Sequence, residues 1–384
     1  MRKRAFVFSK EKFPRGSAGA NYIQYFAKAL MTQEFEVIVI GKISDPCLFL
    51  HKQSYKGIEY IGLSDSDPNN QLYYSKSDFD YICDSYKITE EDYFIFYNFN
   101  IRWIRYFKRR FGTNHIFVIR VEEMQFYQYK YGAINPKYIM SQHWIRYSQK
   151  NSNGIFAISS SIAETQRKYG CRVMILPIMA DPSEYEFNIE KKKGDIIEFI
   201  YPGLKTNPYE DDLATTFQAI AQLPKEDRER IRLHITGVDK DKLNRILPRE
   251  LRSIIEPLIV AHGFIKYDEL IALYQMSDYL LLFRKENKVT KANFPSKIPE
   301  VMAFGVIPIC TDVGDYTRLY LDSTNSIQTR PGDASECASA IHEAIHKEQD
   351  NYLNMRKKAR ELVVNRFSYK VWAAEIVSFI EEVK

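Results

Sequence analysis

Apolar residues in this chain fall into short dense runs, separated by stretches where they recur every three or four positions. RAFVFS, FEVIVIG, YFIFYNF, HIFVIRV and GIFAISS are near-continuous apolar runs rich in β-branched and aromatic residues, the pattern of strands covered on both faces of a parallel sheet. Between the first two, ANYIQYFAKALMTQ puts Tyr22, Ile23, Phe26, Ala27 and Leu30 on one face of a helix. GIFAISS leads into a further helix, SIAETQRKYG. A second alternation starts at IIEFIYPG: helix ATTFQAIAQLP, strands IRLHITG and LIVAHG, helix YDELIALYQMS and strand DYLLLF. Strand–helix alternation repeated in this way predicts two doubly wound α/β domains with parallel sheets. The boundaries it predicts are 1–180 for the first domain, 181–194 for a polar linker containing NIEKKKGD, and 195–367 for the second domain. A last helix over 368–384 offers Val371, Trp372, Ile376, Phe379 and Ile380 for burial.

The segment from Asn293 to Cys310, NFPSKIPEVMAFGVIPIC, breaks the plain apolar pattern with charge. It predicts a short helix that follows a strand, ends at Gly305 in a left-handed cap, and feeds the strand VIPIC. Ser296 is placed to cap the first turn, and Pro299 is tolerated there because a first-turn amide has no intrahelical partner to lose. Lys297 and Glu300 share one face. The free amides and the dipole of such a helix, aimed out of the carboxyl edge of a sheet, favour a phosphate, and Lys297 adds positive charge. Glu300, one turn deeper, can accept two hydroxyl hydrogen bonds, as from a ribose. A helix–turn–strand without a ligand is the alternative, and it leaves Lys297 and Glu300 unexplained.

This block resembles the nucleotide-sugar site of the GT-B glycosyltransferases, in particular the large retaining family 4, with Pro295, Ser296, Lys297, Glu300, Met302, Ala303, Gly305, Pro308 and Ile309 at the positions of the family pattern. VMILPIMADPSEYE resembles the family's interdomain segment through Pro177 and Asp181. The resemblance spans nearly the whole chain. It implies a GT-B fold: two Rossmann-like domains facing a cleft, with the C-terminal helix crossing back to the N-terminal domain. It also implies a retaining hexosyltransferase that takes a nucleotide diphosphate sugar to a growing glycan or polyprenyl-linked acceptor, in bacterial surface polysaccharide synthesis. Two other readings stay open: a GT-B sugar-nucleotide epimerase and a non-catalytic nucleotide- or membrane-surface-binding protein.

Composition narrows the classes. With 384 residues, 27% charged and 45% hydrophobic, the chain is globular and long enough for two cores. No apolar run approaches the roughly 20 residues of a membrane-spanning helix, and AFVF is too short for a signal-peptide core. The five cysteines, Cys47, Cys83, Cys171, Cys310 and Cys337, are scattered, which predicts reduced thiols and a cytoplasmic protein. Charge is uneven. Residues 1–180 hold 25 Lys+Arg against 16 Asp+Glu, and the remainder holds 29 against 33. The densest basic stretch is IRWIRYFKRRF, 101–111. As a helix it has an apolar stripe of Ile101, Ile104, Phe107 and Phe111, flanked by Arg102, Arg105, Lys108, Arg109 and Arg110. It reads either as a peripheral contact for an anionic membrane or lipid-linked acceptor, or as a sheet-covering helix with a solvated basic face. No nucleic-acid motif accompanies the charge.

Catalysis of sugar transfer needs the leaving diphosphate neutralised. Asp78 and Asp80 have DxD spacing but lie far upstream of the donor half, so protein cations rather than a metal are expected, and no cofactor. The resemblance assigns this charge to Lys205 and Lys297, with Arg284 in support. The family's Arg after the first strand of the second domain is not clearly present near Gly203 and Lys205, and Ala292 stands where many members have a first glutamate. The expected donor contacts are Gly16, Gly19, Gly203, Arg284, the backbone of Asn293 and Phe294, Pro295, Ser296 and Glu300. On the acceptor side, Glu122 (or Glu123) is placed to orient or deprotonate the acceptor, and Arg120 to pair its phosphate. A structural salt bridge explains these three equally well. His115 and His143 read as packed rather than catalytic.

Overall fold

The computed structural model describes residues 3–14, 17–43, 45–64, 76–98, 101–112, 115–121, 126–203 and 209–382, without the side chains of Pro46, Ser64 and Phe126. It separates into two compact units, Met1–Ala180 with Tyr369–Lys384, and Asp181–Ser368.

In the first unit the apolar runs become β1 (Arg4–Lys12), β2 (Glu36–Ile43), β3 (Lys52–Tyr55), β4 (Ile58–Ser64), β5 (Tyr93–Tyr97), β6 (Ile116–Arg120), β7 (Gly154–Ala157) and β8 (Val173–Ile175). They form one sheet in the order β3-β4-β2-β1-β5-β6-β7-β8. Every pairing is parallel except β3 with β4. That hairpin is absent from the sequence reading. Phe6, Phe8, Phe94 and Phe96 put aromatic rings on one face, where Trp103, Ile104 and Phe107 of the Ile101–Phe111 helix cover them. Phe8 lies 4.7 Å from Phe107 and 5.2 Å from Phe96, ring centre to ring centre. The apolar stripe of this helix is therefore spent on the sheet, with Trp103 added to the predicted set.

The C-terminal helix, Tyr369–Glu381, packs on the first unit through the Ala18–Met31 helix, with Tyr369 stacked on Tyr25. Phe379 lies 4.9 Å from Phe156, and a Cβ on Gly154 would come within 2.7 Å of the Phe379 ring, so only glycine lets the helix approach β7 this closely. Ile376 and Ile380 are buried as predicted, but Val371 is exposed.

The second unit holds β9 (Ile197–Tyr201), β10 (Ile231–Thr236), β11 (Ile259–Gly263), β12 (Tyr279–Leu282), β13 (Ile307–Thr311) and β14 (Ile327–Thr329), in the order β11-β10-β9-β12-β13-β14. All are parallel. Ile197, Phe199, Tyr201, Leu233, Ile235 and Tyr279 face the Leu213–Gln222 and Ala334–His346 helices across one core. In both sheets the strand order reverses beside the first strand, between β1 and β5 and again between β9 and β12. Such a switch point leaves a crevice at the carboxyl ends of the strands, where open α/β sheets take their ligands.

The segment expected as a polar linker, 181–194, belongs to the second unit and is tied down. Lys191 lies 2.8 Å from Asp278. The Lys193 ammonium donates to the carbonyls of Ala344, Ile345 and Lys347. Among the described residues, no helix is long and apolar enough to cross a membrane.

Candidate functional site

The switch point of the second sheet carries a knot of four charged side chains. Tyr209–Asp212 return past the end of β12: Asp212 N–H donates to the Phe283 carbonyl and Lys285 N–H to that of Glu210. This brings Glu210 to 3.2 Å and Asp211 to 3.6 Å from the Arg284 guanidinium, whose side chain is 2% exposed. Thr311, at the end of β13, fixes the backbone there. Its hydroxyl accepts from Arg284 N–H and donates to the Arg284 carbonyl. Lys297 reaches the other oxygen of Asp211 at 3.5 Å, and its ammonium lies 4.8 Å from the centre of the Tyr201 ring. Burial, reinforced by the Asp211 charge, pushes the Tyr201 hydroxyl well above its ordinary range, so it stays neutral. Two cations face two carboxylates, and the knot is close to neutral.

Sequence reading identified Lys297 and Arg284 but not their partners Glu210 and Asp211. Arg284 is a buried cation paired with both acids, and its Nε and Nη1 have no hydrogen-bond partner among the described residues. Lys297, 19% exposed at the side chain, is the more accessible of the two.

The helix carrying the charged block spans Lys297–Met302. Gly305 follows it with φ 72°, and a Cβ there would meet the Phe187 ring at 2.4 Å. The predicted cap at Ser296 is not formed. Ser296 has helical dihedrals, φ −61° and ψ −24°, and its side chain makes no capping hydrogen bond. The Pro295 carbonyl already accepts from Ile298 N–H, so the turn begins one residue earlier.

The expected Asn293 and Phe294 contacts also change. Asn293 N–H is taken by the Val289 carbonyl. Phe294 and Pro295 are buried, with the Phe294 ring packed edge-on against Tyr316, Tyr320 and Phe367. Ala292, where the resemblance expects a glutamate, is fully buried.

Glu300 is half-buried beside tyrosines. It accepts a hydrogen bond from Tyr274 at 3.5 Å. Tyr267, hydrogen-bonded to Tyr185 at 2.7 Å, completes the surround. Burial first and then the Glu300 charge raise the Tyr274 hydroxyl far above its usual value. Tyr274 therefore remains a donor to Glu300.

Gly203 ends β9 in the left-handed region, φ 58°, with its N–H donated to the Thr236 hydroxyl. In the first unit, Gly19 lies in the first turn of its helix. A Cβ there would stand 2.8 Å from Glu11, which accepts a hydrogen bond from Ser17. Its small size accommodates the Glu11 side chain. Arg120 is buried at the end of β6. Gly16, Glu122, Glu123 and Lys205 lie outside the described residues.

On the Ile101–Phe111 helix, Arg102, Arg105, Lys108 and Arg109 are exposed, Arg105 lying 5.3 Å over the Tyr147 ring. Arg110 pairs with Asp80 at 2.5 Å and Asp84 at 2.7 Å, so Asp80 is engaged in an ion pair. His115 stacks on Tyr93, whereas His143 is exposed rather than packed.

Residues 190–362 match the family described as glycosyl transferases group 1. A comparison with curated proteins found no significant match. Solved structures give the fold. Sucrose-phosphate synthase from Thermosynechococcus elongatus superposes with a TM-score of 0.73 at 13% identity, with 98% of each chain covered. The trehalose-6-phosphate synthase OtsA gives 0.71 at 12% identity, with 100% of each covered. Anabaena HepE, solved in complex with UDP and glucose, gives 0.67 at 13% identity, with 98% of each covered.

Proposed function

Residues 190–362 belong to the glycosyl transferases group 1 family, in a chain of GT-B fold, and from that premise we propose that the protein transfers a hexose from a nucleotide diphosphate sugar to a glycan or lipid-linked acceptor, with retention of configuration and without a metal. The observation that carries this reading is the charged face of the Lys297–Met302 helix at the carboxyl edge of the second sheet, with the half-buried carboxylate of Glu300 one turn in and Lys297 beside the β9–β12 switch point. HepE, solved with UDP and glucose, supports a uridine nucleotide as the first donor to try.

In this reading the nucleotide lies over the end of β9 with its ribose on Glu300. The diphosphate draws Lys297 from Asp211, and the ammonium meets the charge that grows as the glycosidic bond breaks. Lys205 shares that task. The leaving phosphate accepts the acceptor's proton, Glu122 orients the acceptor, and Arg120 pairs its phosphate. An acceptor carried on an anionic membrane surface, as in surface polysaccharide synthesis, accords with the basic first half of the chain. A nucleotide-binding protein without turnover is the second reading, favoured by Ala292 and by the charge-neutral knot.

Calorimetry with UDP, GDP, ADP and dTDP, followed by turnover of the matching sugar nucleotides, tests both readings. Glu300→Gln is expected to weaken the preferred diphosphate by about 1–3 kcal/mol, the cost of losing charge-assisted hydrogen bonds, with folding unchanged. Unaltered affinity removes Glu300 from the site, and tight binding with no turnover of any sugar nucleotide selects the second reading.

A further inference from the structure

The second unit carries another cluster of chemically capable side chains, at the opposite edge of its sheet. Asp227 lies in the short Lys225–Arg228 turn just before β10, where the Arg230 carbonyl accepts from Ile197 N–H, the first residue of β9. This is the amino edge, whereas the Lys297–Glu300 block follows the carboxyl edge. Against Asp227 comes the last turn and a half of the Ala334–His346 helix, which presents His342 and His346. One helical turn separates them, so both imidazoles stand on one face. Asp227 Oδ2 is 2.5 Å from His342 Nδ1, and Oδ1 is 2.7 Å from His346 Nε2. The two rings are 4.4 Å apart, centre to centre. All three ligand atoms lie within 4.8 Å of one another.

We propose that Asp227, His342 and His346 form a binding site for a divalent transition metal, zinc in particular. Two imidazole nitrogens and one carboxylate oxygen are the donors zinc takes, with a fourth position left for water. The nitrogen donors select against magnesium and calcium, which prefer oxygen. The carboxylate is already oriented. Asp227 is buried, with its side chain 2% exposed, so it has little freedom to lose. Burial acts to raise its carboxyl, but the hydrogen bonds from His342 and His346 outweigh this and hold it below the ordinary range, in its anionic, ligating form.

The imidazoles supply the adjustment. A tetrahedron with ligands at about 2.0–2.1 Å has edges of roughly 3.3 Å, so each ring must withdraw from Asp227 by less than about 1 Å. Their side chains are 52% and 49% exposed and have room to do so. An ion held here clamps the turn before β10 to the helix after β14. It stands away from the donor block, so its role is structural or regulatory rather than catalytic.

The test uses the full chain without a histidine tag, stripped with a chelator and dialysed. Zn²⁺ is titrated by calorimetry and Co²⁺ by visible absorption, with melting temperature read alongside. One ion per chain is expected, with a raised melting temperature and tetrahedral Co²⁺ bands lacking a thiolate charge-transfer feature. His342→Gln and His346→Gln each replace a half-exposed ring, and each should weaken binding by more than about tenfold, the lower end of what even an outer-shell partner is worth. Cys47→Ser should bind as the wild type does. Acidification should release the ion, because the ligands must be deprotonated to bind it. No heat and no thermal shift with Zn²⁺ would overturn the site, and so would equal binding by wild type and both histidine variants.

Discussion

Arg284 and Lys297, at the carboxyl edge of the second sheet, sit against Glu210 and Asp211. At the same edge of the first sheet, Lys10 has an indole beside it at 5.5 Å and a second lysine, Lys42, on the neighbouring strand. Among the described residues Lys10 has no ion-pair partner. The strands run alike in the two sheets, and both switch points lie beside the first strand of the unit, yet the charge is handled in opposite ways. In the second unit the cations are held in place by carboxylates, and the four side chains carry no net charge. Under the proposed function, an anion gains little from merely arriving, and more when its charge grows enough to draw Lys297 from Asp211. That arrangement favours a transition state over a ground state. In the first unit an uncompensated lysine is costly without an anion, and an anionic ligand relieves the cost on binding.

The sharpest way to break this contrast is Lys297→Met, which keeps bulk and removes the charge. If Lys297 meets charge that develops on the leaving phosphate, kcat should fall by about 10²–10³, as when one preorganised donor is lost. The donor KM should rise much less. A fall confined to KM makes Lys297 a ground-state anchor and ends the asymmetry on that side. Melting temperature is the necessary control, because Asp211 loses one of its partners in the variant while keeping Arg284.

The first unit is tested through the protonation of Lys10. Burial first, and then Lys42, push its ammonium down to about 8 from the ordinary 10.5. The folded value lies below the unfolded one, so between pH 8 and 10.5 the unfolded chain holds more protons, and stability rises with pH across that window. At neutral pH the penalty is present in full. Lys10→Met should therefore stabilise the protein near pH 7 by about 1–3 kcal/mol, less than the whole shift converts to because the side chain is partly exposed. The advantage should shrink as the pH climbs towards 10.5. Urea unfolding of both proteins across that range is the measurement. A variant no more stable at neutral pH shows that the charge of Lys10 is already met.

Much of this contrast was out of reach of the sequence, for reasons that differ by residue. The two parallel sheets and the docking of the C-terminal helix on the first unit were legible, because near-continuous apolar runs and a 3.6-residue period report burial directly. Lys297 and Glu300 were legible as charges on an otherwise apolar block. Glu210 and Asp211 were not. They read as loop acids in YPGLKTNPYEDD, and Glu210 meets Arg284 from 74 positions away only because β12 pairs with β9. Ser296 misled because a serine before a helix usually caps it, while here Pro295 starts the turn first. The β3–β4 hairpin was missed because KQSY alternates weakly over four residues. Trp103 lies off the stripe of Ile101, Ile104, Phe107 and Phe111, and the sheet beneath is wide enough to bury the flank of the helix as well. His342 and His346 carried a usable signal in their spacing of four, but Asp227 is joined to them only by the fold.

The smallest effect concerns the basic face of the Ile101–Phe111 helix, the outer counterpart of the positive edge of the first sheet. Ile101, Trp103, Ile104 and Phe107 are buried, Phe107 against Phe8, Phe94 and Phe96, and Phe111 packs half-buried on Phe94, so any attraction to a membrane rests chiefly on charge. Arg110 is already engaged by Asp80 and Asp84, which leaves Arg102, Arg105, Lys108 and Arg109 as the exposed basic groups. Each basic residue at an anionic surface contributes about 1 kcal/mol, and at 1 M salt the screening length falls to about 3 Å. Sedimentation with phosphatidylserine vesicles should therefore be measurable at low salt, absent at high salt, and reduced on replacing Arg105, Lys108 and Arg109 by Gln. Binding that survives high salt needs apolar insertion, which this helix cannot supply without leaving its sheet, and would move the contact elsewhere on the chain. If the wild type ignores the vesicles even at low salt, the membrane reading falls, a soluble anionic acceptor is left to test, and Lys10 becomes the better place to look for it.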